Sequence, residues 1–138
     1  GRAMLAAMVL GADGVQVGSR FVASPEASSH ELFKKWVVEA KEGDTQLTLK
    51  ELAPVRLLKN KFFQDIQEAY ANGATKEDLQ ALLGRARAKK GMFEGDMDEG
   101  ELEIGQVSGL IHNITPASKI VEELIAEFSQ AKAEILDY

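Results

Sequence analysis

Residues 1–26 read GRAMLAAMVLGADGVQVGSRFVASPE, and this stretch decides the fold class. Its opening segment, residues 2–10, is rich in Ala, Leu and Met, which favour a helix buried on most sides, and Gly11 is suited to end that helix. The valines of residues 12–18 then alternate with small or polar residues over the length of a short buried strand. A helix, a glycine stop and a strand that ends in Gly18-Ser19 predict the helix–strand half-unit of an α/β protein.

The rest of the chain has a mostly helical pattern, which predicts a helical appendage, residues 24–138, after the α/β unit, residues 1–23. Ser24 and Pro25 supply a capping hydroxyl and a first-turn proline, so we expect a helix from there to about Glu42. The remaining predicted elements are an extended segment at 45–49, a helix at about 55–71, a helix behind a capping box at Thr75–Asp78, a loop at 91–105, a short helix at 106–111 and a last helix after Thr115-Pro116.

Composition excludes several classes of function. The 138 residues carry 16 Lys and Arg against 22 Asp and Glu, and this net charge of −6 argues against a general nucleic-acid surface. No cysteine is present, which excludes disulfides and cysteine-based metal sites. No apolar run reaches the roughly 20 residues of a membrane helix, and we expect a cytoplasmic protein. Because Gly1 opens directly onto a helical pattern, we also expect a fragment of a longer chain.

Gly18-Ser19 is the first candidate binding site. A strand that ends in Gly-Ser presents two consecutive N–H groups and a hydroxyl, and glycine lets a phosphate approach the backbone closely. Taken alone, such a pair is more often an ordinary turn. No metal site is predicted, since His30 and His112 lie on separate elements and the carboxylates of residues 94–103 lack the spacing of a calcium-binding loop.

The residues around Gly18-Ser19 resemble the flavin-binding stretch of nitronate monooxygenases and of the flavin-dependent enoyl-ACP reductase II. In that family a Gly-Gly turn and an alanine-rich helix precede A-D/E-G/A-V-Q-x-G-T/S-R-F, and this chain has ADGVQVGSRF at 12–21. Further similarity follows in family order: the E-x-x-x-H spacing of Glu26 and His30, PVRLLKN at 54–60, which resembles a family helix, and EIGQVSGLI at 103–111.

The resemblance implies an α/β fold, the C-terminal fragment of a TIM (β/α)₈ barrel. Helix 7 and strand 8 of the barrel would occupy residues 1–23, and a mostly helical C-terminal lid would occupy residues 24–138. Gly18 and Ser19 would hold the FMN phosphate together with the Gly-Gly turn. That turn and the catalytic histidine of the family are expected upstream of Gly1, so no catalytic residue is assigned here.

Three side chains beyond this pair are candidates by resemblance. Gln106 would lie near the flavin edge and bind the cofactor, with a plain polar residue in the first turn of a helix as the alternative. His30 and Arg56 are candidates for contacts with substrate or nucleotide, with structural or solvated positions as the alternatives.

The implied function is that of an FMN-dependent oxidoreductase. A reductase would pass hydride from NADH or NADPH through FMN to an enoyl thioester in fatty acid synthesis, whereas a monooxygenase would oxidise alkyl nitronates with dioxygen. The QVGSRF strand end and the Glu26–His30 spacing favour the reductase. The expected partners are flavin, a small-molecule or acyl-thioester substrate and a second identical subunit, not nucleic acid or membrane. A non-catalytic helical interaction module, residues 24–138, is an alternative that leaves Gly18-Ser19 without a purpose.

Overall fold

The structure, a computed structural model, describes residues 1–136. Within them the α-helices are α1 (Arg2–Val9), α2 (Ser19–Val22), α3 (Glu31–Glu39), α4 (Lys61–Ala71), α5 (Lys76–Leu83) and α6 (Ala117–Leu136). The strands β1 (Thr45–Thr48) and β2 (Val55–Leu58) form an antiparallel pair. A π-helical turn (Lys89–Phe93) and a 3₁₀-helix (Gln106–Leu110) lie between α5 and α6. The described chain is therefore mostly helical, with one small sheet.

Local capping chemistry places two of the helices where the sequence predicts them. Gly11 follows α1 with a φ of 99°, a left-handed conformation that glycine adopts without strain. At the start of α5 the Thr75 hydroxyl accepts a hydrogen bond from the Asp78 N–H, and the Asp78 carboxylate accepts one from the Thr75 N–H. This reciprocal pair confirms the predicted capping box.

The strand predicted at residues 12–18 is absent, and that prediction is wrong for this structure. Val15 and Val17 are 43% and 36% exposed instead of buried. A strand must pair its N–H and C=O groups with a neighbour, and none of the described residues lies alongside this segment as a strand partner. The predicted half-unit therefore keeps its helix and its glycine stop but not its strand.

The helix predicted from Ser24 to Glu42 begins seven residues later, at Glu31. The Ser24 hydroxyl donates to the Phe21 carbonyl at 2.8 Å, which closes a turn instead of capping a helix. His30 takes the capping position, because its Nδ1 accepts a hydrogen bond from the Leu32 N–H at 3.2 Å.

The helix predicted at 55–71 is a strand followed by a helix. Residues 55–58 form β2, so the segment PVRLLKN is not the helix that its resemblance suggested. Asn60 then starts α4, since its side-chain oxygen accepts from the Phe63 N–H at 3.0 Å. The extended segment predicted at 45–49 is confirmed as β1.

Two apolar clusters meet at β2. Leu57 and Leu58 point to opposite faces of the strand, as neighbouring strand residues must. Leu58 packs with Phe33 and Val37 of α3 and with three residues further along the chain: Leu102, Ile104 and Ile111. Leu57 packs in a second cluster with the apolar faces of α4 and α5: Phe62, Phe63, Ile66 and Leu79. This double burial fixes β2, and with it Arg56, between two cores.

The last helix, α6, packs against α1 and α2 at the start of the chain. The Glu26 carboxylate accepts from the Ala117 N–H with both oxygens at 3.1 Å, and Thr115 N–H donates to the Ala23 carbonyl at 3.1 Å. The predicted lid range 24–138 thus includes a helix that lies on the first segment, while residues 137 and 138 fall outside the described chain.

Candidate functional site

The turn at Gly18-Ser19 leads directly into α2. The Gly18 carbonyl accepts from the N–H groups of Phe21 and Val22, whereas the N–H groups of Gly18, Ser19 and Arg20 have no acceptor among residues 1–136. A Cβ added at Gly18 would meet no atom within 4 Å, so the turn is open on the side where that side chain would stand. Three consecutive free N–H groups on an open turn are suited to bind an anion such as a phosphate.

This turn lines a groove of about 640 Å³, which we name the first groove. Its other walls come from the start of α1, the 3₁₀-helix and α6, with Val107, Leu110, Ile111, Ile120 and Leu124 as apolar lining. Glu123 and Glu127 also line it, on α6, so an anion is favoured at the Gly18 end and disfavoured along the α6 wall. The first groove suits a ligand with an anionic end and a larger apolar part.

Arg20 lies at the first groove, but its guanidinium is already engaged. Nη1 donates to the Asn113 carbonyl at 3.1 Å and Nη2 to the Asn113 side-chain oxygen at 2.8 Å. Arg20 therefore ties α2 to the segment that leads into α6, and the turn offers an anion backbone N–H groups instead of this side chain.

The Ser19 side chain joins this turn to the segment that carries Gln106. Ser19 Oγ accepts a hydrogen bond from the Gly105 N–H at 3.1 Å, and a Cβ at Gly105 would lie 2.7 Å from Ser19 Oγ. The structure thus brings together Ser19 and the residue next to Gln106, although they are far apart in sequence. Gly105 was not singled out by the sequence; the signal was its place directly before Gln106 in a segment that resembles the family.

Arg56 and Gln106 line a second groove of about 620 Å³, on the other side of the 3₁₀-helix. The second groove is bounded by Glu42, Gly43 and Thr45, while Leu110 lines both grooves. Arg56 Nη1 donates to the carbonyl and to the hydroxyl of Thr45, both at 3.2 Å. The two predicted side chains are therefore neighbours, and Gln106 is exposed to solvent.

His30 lines neither groove. Its Nδ1 caps α3, its N–H donates to the Met92 carbonyl at 2.8 Å, and its ring lies against Gly95, where an added Cβ would come within 2.5 Å. The structure thus gives His30 contacts of a structural kind and does not bring it together with Gly18, Ser19 or Gln106.

Among the described residues, Glu101 is the one carboxyl whose pKa is strongly raised by burial. It is 7% exposed, and burial together with the charge of Glu103 raises the pKa of Glu101 to about 7, against a smaller lowering by Arg87. Glu101 lines neither groove, so we treat this buried acid as a feature of the fold.

Arg87 organises the segment around Glu101. Its guanidinium donates to the carbonyls of Leu82, Leu83 and Glu99 at 2.7–3.2 Å and lies 4.2 Å from the centre of the Phe62 ring. The predicted loop at 91–105 is held in place by this side chain and by the bridge between Glu103 and Leu57. The guanidinium also forms an ion pair with the Glu99 carboxylate at 3.5 Å. Sequence reasoning missed Arg87, because most of its partners are carbonyl groups that any residue would provide.

Residues 1–136 contain no cluster of three or more His, Asp or Glu side chains arranged to hold a metal ion. Over the same residues, no helix combines the length and apolar character required to cross a membrane.

Known proteins resemble this chain over nearly its whole length. The family model described as nitronate monooxygenase matches residues 1–127. A probable nitronate monooxygenase of Staphylococcus saprophyticus is 30% identical over 131 residues, which are 94% of this chain and 36% of that protein. One from Bacillus subtilis is 30% identical over 136 residues, 97% of this chain and 38% of the relative. The chain thus spans little more than a third of these relatives.

Solved structures give the same grouping. FabK from Thermotoga maritima superposes on the whole chain with a TM-score of 0.86 and 36% identity, and the match covers 44% of FabK. Nitroalkane oxidase from Streptomyces ansochromogenes superposes on 97% of the chain with a TM-score of 0.70 and 28% identity, and the match covers 38% of that enzyme. Since the family model covers most of its residues, the chain belongs to the nitronate monooxygenase family.

Proposed function

We propose that the protein that carries this chain is an FMN-dependent oxidoreductase, and that Gly18 and Ser19 bind the flavin phosphate. The observation that carries the proposal is the open turn with three free N–H groups, at one end of a groove whose lining also includes an apolar patch. Backbone N–H groups bind phosphate oxygens without a cationic side chain, which fits a site where Arg20 is already engaged. Bound FMN would supply the redox chemistry.

The residues of this chain would position the cofactor. Ser19 contributes its N–H to the phosphate, while its hydroxyl holds Gly105 and thereby the start of the 3₁₀-helix. Gln106 stands on the far side of that contact, where its amide is free to meet a ligand. We place the proton-transferring residue in the part of the relatives that this chain does not span. The barrel elements that would flank helix 7 and strand 8 belong to the same part.

Within this family we favour the enoyl-ACP reductase, which would use NADH or NADPH to reduce enoyl thioesters in fatty acid synthesis. The support is the closer superposition on FabK, which is an enoyl-ACP reductase, with a TM-score of 0.86 against 0.70 for nitroalkane oxidase and an identity of 36% against 28%. We also propose that the enzyme is cytoplasmic and that it is a homodimer. Light scattering of the purified protein would test the dimer.

Nitronate monooxygenase, which would oxidise alkyl nitronates with dioxygen, is the second candidate. It is favoured by the family model that matches residues 1–127 and by the probable nitronate monooxygenases that are 30% identical to the chain.

The flavin site is tested by replacing Gly18 in the full-length protein. Gly18→Val should fill the space in front of the free N–H groups and abolish the flavin absorbance at about 450 nm. Gly14→Val is the matched control, because Gly14 is also exposed, has ordinary backbone geometry and has no atom within 4 Å of an added Cβ. A full-length protein that is colourless before any substitution, and that FMN does not stabilise, would refute the flavin proposal and favour a helical interaction module.

The two activities are separated by substrate. A reductase should consume NADH or NADPH with a crotonyl thioester, and a monooxygenase should take up oxygen with an alkyl nitronate. Nicotinamide oxidation that does not depend on the thioester, together with rapid oxygen uptake on nitronate, would overturn our preference.

A further inference from the structure

The second groove contains an arginine with free donors. Arg56 is half-buried, and only its Nη1 is used, by the two oxygens of Thr45. Nε and Nη2 make no hydrogen bond or ion pair with residues 1–136, and the Glu42 carboxylate, although it lines the same groove, forms no ion pair with the guanidinium. Three of the five guanidinium N–H groups are thus left over, in the fork that matches a phosphate or carboxylate.

The backbone that carries this fork is held in place by several contacts. Arg56 pairs with Leu47 in the sheet, and its carbonyl accepts from the Ile104 N–H at 3.1 Å. The following residue, Gly105, donates to Ser19 Oγ. Two consecutive N–H groups therefore join the strand of Arg56 to the turn of the first groove, and Leu110 lines both grooves. A ligand in the second groove would lie beside a ligand in the first.

We propose that the second groove binds the phosphate group of an organic cosubstrate, with the Arg56 guanidinium as the anion-binding group and the Gln106 amide as a second donor. A groove of about 620 Å³ is large enough for a nucleotide-sized molecule. The proposal rests on the proposed function, since it places this ligand next to the flavin groove. Both a nicotinamide nucleotide and a phosphopantetheine thioester carry the required phosphate.

The test uses the full-length protein with FMN bound and measures dissociation constants for NADH, NADPH and crotonyl-CoA. Arg56→Gln should weaken at least one of them about 10- to 100-fold, the usual effect of losing charge-assisted hydrogen bonds. Arg85→Gln is the matched control, because Arg85 is exposed and makes no hydrogen bond or ion pair with the described residues. Weakening of the nucleotides alone, or of the thioester alone, identifies the source of the phosphate.

A purely structural role of Arg56 predicts that Glu42→Gln leaves the dissociation constants unchanged. If the site is electrostatic, Glu42→Gln should tighten binding of the same ligand, since it removes a like charge from the groove, and Arg56→Lys should recover part of the affinity. Dissociation constants within twofold of the parent protein for all three ligands in Arg56→Gln would overturn the proposal.

Two further outcomes also decide. If Arg56→Gln does not fold, Arg56→Lys and Glu42→Gln replace it, and unchanged affinities in both variants overturn the proposal. If the parent protein binds no FMN, the proposed function fails, and titration with inorganic pyrophosphate, compared between the parent and Arg56→Gln, still tests the second groove. Loss of pyrophosphate binding in the variant would then support the anion site, and equal binding would overturn it.

Discussion

Glu101→Gln should change how the stability of the protein depends on pH. The carboxyl of Glu101 is buried, faces the charge of Glu103 and forms no hydrogen bond through its side chain with residues 1–136. Its pKa therefore rises from the ordinary 4.5 to about 7 in the folded protein, with burial as the main cause.

The sign of the effect follows from proton counting. Between pH 4.5 and about 7 the folded protein holds a proton on Glu101 that the unfolded chain has released, so stability falls as pH rises through this window and is level above it. At about 1.4 kcal/mol per pH unit, the whole loss is at most about 3.5 kcal/mol. A glutamine stays neutral, so the difference between the variant and the parent protein should grow by about 2 to 3 kcal/mol in favour of the variant from pH 5 to pH 8.

Urea unfolding at several pH values between 5 and 8 measures this difference. Glu103→Gln is the companion variant, because removing the neighbouring charge should lower the pKa of Glu101 and flatten the pH dependence without abolishing it. Parallel stability curves for the parent protein and Glu101→Gln would refute the reasoning, since they would mean that Glu101 is ionised equally in the folded and unfolded states.

Three other substitutions probe contacts that hold neighbouring elements of the fold together. Gly105→Ala should break the hydrogen bond to Ser19, because the added Cβ would lie 2.7 Å from Ser19 Oγ, and cost about 1 kcal/mol in a thermal melt; the cost should vanish in a Ser19→Ala background. Arg87→Lys should lose several carbonyl contacts and the stacking on Phe62 and destabilise by about 2 kcal/mol, measured by urea unfolding, and an unchanged midpoint would contradict the role of the guanidinium. Glu26→Ala should remove the cap of α6 at a cost of about 1 kcal/mol, seen as faster hydrogen exchange at residues 117–120, whereas unchanged exchange there would exclude the cap.

The sequence predicts an element well when the chemistry that ends it is local. The Thr75–Asp78 capping box and the left-handed Gly11 involve residues within one turn of each other, and both are found as predicted. The boundary inside residues 55–71 was predictable in the same way, since Asn60 is a good cap residue, but the apolar pattern on both sides concealed it.

The sequence fails where an element depends on a distant partner. The valines of residues 12–18 have the pattern of a strand, yet a strand requires a neighbour, and no described residue provides one. The site shows the same limit: Gly18, Ser19 and Gln106 were predicted separately, while their connection through Gly105 is a tertiary contact that no local pattern encodes.

The Glu26–His30 spacing illustrates how a resemblance can be right about the family and still mislead about the role of a residue. By resemblance the spacing favours the reductase, but the structure uses Glu26 to cap α6 and His30 to cap α3. Two caps that orient neighbouring helices are useful in any protein with this fold. The spacing therefore indicates a shared fold and not a particular substrate. The preference for the reductase therefore rests on the QVGSRF segment and on the closer superposition on FabK. The side chains that select a substrate are better sought along the second groove, where Arg56 and Gln106 keep donors free for a ligand.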